Sequence, residues 1–217
     1  METENKPGNR DRRKSGLLSR LFSNFAHPHG TGGRIALAMM NSWHGPLTNW
    51  GFGYIPFRDG WTILDVGCGG GRTLQRLLGR SKGATVYGVD ISDESVTKAR
   101  QVNADLLGSR VFVRQGSASE LPYDDSTFDL VTAVETIYFW PELPRCFEEV
   151  KRVLKPGGLF AILLEVASED CAWTRVVDGM TTYSPEQLKA FLEQAGLCDV
   201  EIHRKKPSYA TIISRRP

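Results

Sequence analysis

Apolar positions follow two rhythms in turn along most of this chain. Residues 61–66 are a short apolar and β-branched run that stops at glycine, the pattern of a buried parallel strand. Leu74, Leu77 and Leu78 then fall at i, i+3 and i+4, which gives a helix one apolar face. The exchange repeats downstream. Residues 85–89 read as a second strand; Ser92 caps a helix with Asp93 and Glu94 in its first turn, and Val96, Ala99, Val102 and Leu106 face the sheet. Residues 110–114 and 130–134 are further strands. Leu143, Phe147, Val150 and Leu154 mark a core-facing helix that ends at Lys155-Pro-Gly-Gly158, and residues 159–166 form the fifth strand. Ser184-Pro-Glu-Gln187 opens a helix with an N-cap, an N1 proline and a capping-box glutamine. Residues 200–203 and 209–214 close the chain as an antiparallel pair at one sheet edge. Strand and helix in alternation specify an α/β fold.

Other stretches break the rhythm. Residues 1–29 mix Pro, Gly, Asn and Ser with charge, which predicts a flexible basic tail. Within it Leu17, Leu18, Leu21, Phe22 and Phe25 can form a short amphipathic helix. Residues 30–60 read as an N-terminal cap: helical over 35–40, a turn over 41–46, then aromatic side chains close together. Residues 170–180 have no period and form an insertion. The main domain is expected over 61–217.

Composition narrows the class. A chain of 217 residues that is 41% hydrophobic can build one good core. A formal charge of +2 is too small to argue for nucleic acid. The basic clusters at the two ends read as solvated termini. Cys68, Cys146, Cys171 and Cys198 are far apart with no C-x-x-C pair, so the pattern indicates neither a zinc site nor a disulfide framework, no metal is expected, and a reducing cytoplasm fits. No apolar run approaches the ~20 residues of a membrane span. The arginine pair at 12–13 does not make an export signal, because Arg20 and Asn24 interrupt the apolar region after it.

The chemistry gathers around Asp65-Val-Gly-Cys-Gly-Gly-Gly71. Gly67, Gly69 and Gly71 occupy a strand-to-helix turn, where glycine permits positive φ and close approach of a ligand, and the helix start offers unpaired N–H groups. Asp90 ends the second strand, 23 positions after Gly67. A carboxylate there can accept hydrogen bonds from both hydroxyls of a ribose. Turn, strand and terminal acid at this spacing point to an adenosyl ligand.

On these residues the chain resembles the class I S-adenosylmethionine-dependent methyltransferases, in particular their small-molecule branch. Asp65-Val-Gly-Cys-Gly-Gly-Gly71 matches that family's first motif and Leu154-Lys-Pro-Gly-Gly158 a later one. The resemblance implies a Rossmann-like, doubly wound, seven-stranded sheet, mostly parallel with an antiparallel C-terminal edge strand and an N-terminal helical cap. It implies S-adenosylmethionine held by Asp65, Gly67, Gly69, Gly71, Asp90, Ile91, Ser117 and Ala118, with Ser117 standing where the family commonly has Asp. Glu135, at the end of the fourth strand, is expected to meet the methionine amino end or to serve as a base. His44 is a second candidate base. Trp43, Trp50, Tyr138, Trp140 and Trp173 are candidate walls of the pocket for a small-molecule methyl acceptor.

Two rival classes use the same residues. A nicotinamide-dependent oxidoreductase would share the sheet, but Arg72 stands where the dehydrogenase fingerprint needs its third glycine. A non-catalytic module could retain the cleft for interaction alone.

Overall fold

The computed structural model describes residues 45–166, 180–205 and 208–217. The amphipathic segment around Leu17, the helix expected over 35–40 and all of the 170–180 insertion except Met180 lie outside the described residues.

The first described element is α1 (Gly45–Gly51). A turn was expected over 41–46, yet Gly45 and Pro46 open this helix, because proline in a first turn has no N–H to lose. Then follow β1 (Thr62–Val66), α2 (Arg72–Arg80), β2 (Thr85–Asp90), α3 (Asp93–Val102), β3 (Val111–Gln115) and β4 (Phe128–Val134). The second half holds α4 (Leu143–Val153), β5 (Leu154–Glu165), α5 (Pro185–Gln194), β6 (Cys198–Lys205) and β7 (Tyr209–Arg215).

The seven strands make one sheet in the order β3-β2-β1-β4-β5-β7-β6. β1 to β5 are parallel, and β7 is antiparallel to both of its neighbours. The mostly parallel, Rossmann-like architecture is therefore as expected, and so is the antiparallel closing pair. Within that pair β7 lies inside and β6 is the outermost strand.

Alternate residues of each strand feed opposite faces, which is why the runs read as continuously apolar. Leu64, Val131, Phe160 and Ile162 join Phe147, Val150, Leu188 and Leu192 of α4 and α5 in one core layer. Ile63, Leu130, Ala161 and Leu163 join Leu47, Leu74, Leu77 and Ala99 of α1, α2 and α3 in the other. The cap helix α1 thus packs on the sheet itself. A Cβ at Gly51 would stand 2.5 Å from Thr211 Oγ1 and 2.6 Å from Leu163 Cδ2, so only glycine lets the helix come this close.

α4 ends at Val153, just before Lys155-Pro-Gly-Gly158, as expected; the fifth strand starts earlier than the expected residue 159. β5 begins at Leu154, immediately after α4, and takes the segment in as an irregularity between the pairs Phe128↔Leu154 and Leu130↔Leu159. Gly157 has φ +77° and donates its N–H to the Arg216 carbonyl at 2.9 Å. The segment anchors the sheet at the end remote from the site, where Lys155 Nζ pairs with Asp129 at 2.9 Å.

Candidate functional site

β1, β2 and β4 all end on one side, around the glycine turn. In an open parallel sheet the crevice beyond the carboxyl ends is where ligands bind. Gly67, Gly69 and Gly71 have φ of +76°, +50° and +81°, conformations that side chains rarely adopt. The three differ in what a side chain would meet. At Gly71 a Cβ would lie 2.7 Å from Ala99 Cα and from Asn103 Nδ2, so that glycine serves the packing of α3. At Gly67 it would lie 2.0 Å from Thr136 Oγ1. At Gly69 no atom of the described residues lies within 4 Å. Gly69 is the turn glycine whose side-chain position the described residues leave open.

Asp90 ties the turn to β2. Its Oδ2 accepts the Gly69 N–H at 2.9 Å, and its Oδ1 accepts the Ser92 N–H at 2.9 Å. Ile91, the next residue, is 52% exposed although large and apolar. Beyond it, Gln115 Nε2 donates to the Ile91 carbonyl at 3.1 Å. Ser117 Oγ lies 2.9 Å from Ser119 Oγ, and Ala118 is buried. An apolar side chain turned outward beside a carboxylate and serine hydroxyls suits an adenosyl ligand. The residues on this side of the crevice therefore fit an adenosyl group.

Asp65 lies beneath the turn. It is 1% exposed and accepts a hydrogen bond of 2.6 Å from Thr132 Oγ1. Burial pushes its carboxyl up to about 7, the Thr132 hydroxyl opposes that rise, and the nearby Asp90 charge adds to it. Its contacts are with the protein, so it supports the turn from within. Cys68 is also buried, and burial with the Asp90 and Asp65 charges pushes its thiol well above the usual range. That makes it an unreactive packing residue.

The other side of the crevice is built at the ends of β4 and β5. Glu135 is half-buried and has φ +54°, a strained conformation for a residue with a Cβ. Its Oε1 accepts the Glu165 N–H and lies 3.3 Å from the Tyr138 hydroxyl, which donates to the Glu165 carbonyl at 2.8 Å. Burial pushes the Glu135 carboxyl up to about 8, partly offset by the Glu165 N–H. Glu165 is itself exposed, with Ser208 Oγ donating to its Oε1 at 2.7 Å. Both Glu165 and Ser208 belong to this side of the site.

The remaining candidates divide. Tyr138 borders Glu135 as described. Trp50 packs against Tyr54 and Tyr209, with ring centroids 5.3 and 6.1 Å away, and Tyr209 is the register partner of Glu165. Trp140 is 8% exposed and stacks on Phe160 at 6.2 Å in the α4 layer of the core, a layer that Tyr138, 5% exposed, also joins. Its position after β4 does not reveal this, because the chain turns there through the 3-10 segment Ile137–Phe139. His44, Trp43 and Trp173 lie outside the described residues. Thr132, Thr136 and Glu165 were not singled out from the sequence; each meets its site partner from about 30 to about 70 positions away, and short-range patterns carry no such signal.

Comparison with known proteins follows the geometry. Residues 64–162 match a family described as a methyltransferase domain. A methyltransferase of Streptomyces halstedii, GfsG, is 35% identical over 153 residues, 66% of this chain and 55% of that protein. The 27-O-demethylrifamycin SV methyltransferase of Amycolatopsis mediterranei is 37% identical over 51% of this chain and 40% of its own length. This chain thus spans about half the length of these curated relatives. A structure of a methyltransferase complexed with its Trm112 activator, from Haloferax volcanii, superposes with a TM-score of 0.74 at 23% identity, covering 90% of this chain and 97% of that one. An S-adenosylmethionine-dependent methyltransferase from Aquifex aeolicus superposes at 0.63 with 26% identity, covering 74% and 84%. With the strand order and the glycine turn, these place the chain among the class I S-adenosylmethionine-dependent methyltransferases. The family's cofactor is S-adenosylmethionine, and the nicotinamide reading falls with the assignment.

Among the described residues no helix is long and apolar enough to cross a membrane, and no group of His, Cys, Asp and Glu could hold a metal.

Proposed function

We propose that this chain transfers the methyl group of S-adenosylmethionine to a small-molecule acceptor in the cytoplasm. The observation that carries the reading is the Gly69 and Asp90 pair: a positive-φ glycine with no described residue over it, tied to the carboxylate that reaches the ribose. Asp90 takes the ribose hydroxyls, Ile91 covers one face of the adenine, and Ser117 with Ala118 borders its edge. S-adenosylmethionine supplies a methyl group already activated by its sulfonium. The protein's task is then chiefly alignment and exclusion of water, and alignment alone can contribute on the order of 7 to 11 kcal/mol.

Glu135 meets the amino end of the cofactor. Its carboxyl is protonated at neutral pH while alone in the site, and a cation beside it draws the proton off. The acceptor comes over the ends of β4 and β5, between Glu135, Tyr138, Glu165 and the Trp50 side of α1. His44, Trp43 and Trp173 remain candidates for that pocket by sequence. The names of relatives cover an oxygen acceptor, 27-O-demethylrifamycin, and a carbon acceptor, the sterol C-24 of an Eremothecium gossypii enzyme. Both are small molecules, which supports that class for this chain.

The test is product formation from labelled S-adenosylmethionine across a panel of hydroxyl, amine, thiol and carbon acceptors, with Glu135→Gln alongside the wild type. Methylated product that Glu135→Gln reduces supports the reading. Cofactor binding with no transfer to any acceptor favours the non-catalytic module.

A further inference from the structure

Thr136 stands where the two halves of the site meet. It follows the strained Glu135, is half-buried, and begins the 3-10 segment Ile137–Phe139 without using its side chain as a cap. Its Oγ1, Cβ and Cγ2 would all come within 2.9 Å of a Cβ on Gly67, Oγ1 within 2.0 Å. The side chain therefore fills the place beside Gly67 that any other residue would need, and it links the β1 turn to the end of β4.

A methyl-bearing side chain such as valine would fill that place equally well. Threonine adds a hydroxyl, and that hydroxyl has no hydrogen-bond partner among the described residues. A partly buried hydroxyl gains by pairing, and at a helix start threonine ordinarily pairs with a backbone N–H. Here it does neither and lies on the rim of the glycine turn, on the β4 side.

We propose that Thr136 is a cofactor-binding residue, donating its hydroxyl proton to the carboxylate of the methionine end. The inference rests on the S-adenosylmethionine reading above. With the adenosine over β2 and β3, the rest of the cofactor would cross the turn toward β4, which neighbours β1 on its other side. The amino-acid end then carries two groups of opposite charge. Glu135 and Glu165 suit the ammonium, and they repel the carboxylate. A donor is needed for the carboxylate, and Thr136 supplies one on the β1 side of Glu135.

The test is calorimetric binding of S-adenosylmethionine and of decarboxylated S-adenosylmethionine to wild type, Thr136→Val and Thr136→Ser. Valine keeps the shape against Gly67 and removes the hydroxyl; serine does the reverse. Thr136→Val is expected to bind S-adenosylmethionine about tenfold more weakly and the decarboxylated ligand as the wild type does, with Thr136→Ser retaining most of the affinity. Unchanged affinity in Thr136→Val, or equal losses for both ligands, overturns the proposal and leaves a packing strut. A wild type that binds neither ligand overturns the cofactor reading as well, so the two failures are told apart.

Discussion

Asp90 Oδ2 accepts the backbone N–H of Gly69 at 2.9 Å, so the acid that ends β2 also fixes the glycine turn after β1. Its other oxygen holds the Ser92 N–H at the start of α3. Asp90→Ala removes both the turn's tie and the ribose acceptor. Its affinity for S-adenosylmethionine is expected to fall on the order of a hundredfold, measured by calorimetry. Unchanged affinity would remove Asp90 from the site.

The buried Asp65 gives a pH-dependent stability of defined sign. Its carboxyl moves from 3.8 to about 7 on folding. Below about pH 4 it is protonated in both states and has no effect; from about pH 4 to about pH 7 the unfolded chain loses the proton and the folded chain keeps it. Stability therefore falls as pH rises through that window, by up to about 1.4 kcal/mol per unit, and levels off above it. Asp65→Asn lacks the effect. The urea midpoint of the variant relative to wild type is expected to rise between roughly pH 4.5 and roughly pH 7.5. A midpoint difference that stays constant or shrinks would show that the carboxyl is ionised throughout.

Two alanines separate fold from function within one turn. Gly71→Ala places a Cβ 2.7 Å from the Ala99 backbone at φ +81°, and is expected to cost about 2 to 4 kcal/mol of stability. Gly69→Ala meets no atom of the described residues, so strain at φ +50° costs about 1 to 2 kcal/mol. Its larger effect is on cofactor affinity. Urea unfolding and calorimetry on both variants check the contrast, and equal loss of affinity with no difference in stability would contradict it.

Trp140 tests whether a core ring also serves the acceptor pocket. Its ring packs between Phe147 and Phe160, with centroids 6.2 Å from each. Trp140→Ala is expected to lose about 3 to 5 kcal/mol of stability. Trp140→Phe loses less and keeps the wild-type cofactor affinity and acceptor KM. A stable Trp140→Phe with a raised KM would place this residue on the acceptor wall.

What could be read from the sequence was what repeats or stands at fixed spacing. The alternation of Ile63 and Leu64, or of Ala161 and Ile162, between faces makes buried parallel strands, and the fold class follows. Ser92 and Ser184 were legible as helix caps because capping is local, and both accept the backbone N–H three residues on. The Gly69 and Asp90 contact is long-range, yet the fixed length of a strand–helix–strand unit brings it within reach of pattern reading. The relation of Thr136 to Gly67 has no such ruler. Nor does Trp140 show in sequence which way it turns after β4. The glycines and proline of Lys155-Pro-Gly-Gly158 mark the end of α4 in sequence, but not that the pairing of Leu154 with Phe128 already begins the strand there.

The most direct measurement is calorimetric titration of the purified chain with S-adenosylmethionine, its demethylated product and NAD. The expected result is saturable one-to-one binding of the first two and none of the third. Binding of NAD in their place, or of none of the three, would contradict the assignment of the Gly69 and Asp90 site to an S-adenosylmethionine-dependent methyltransferase.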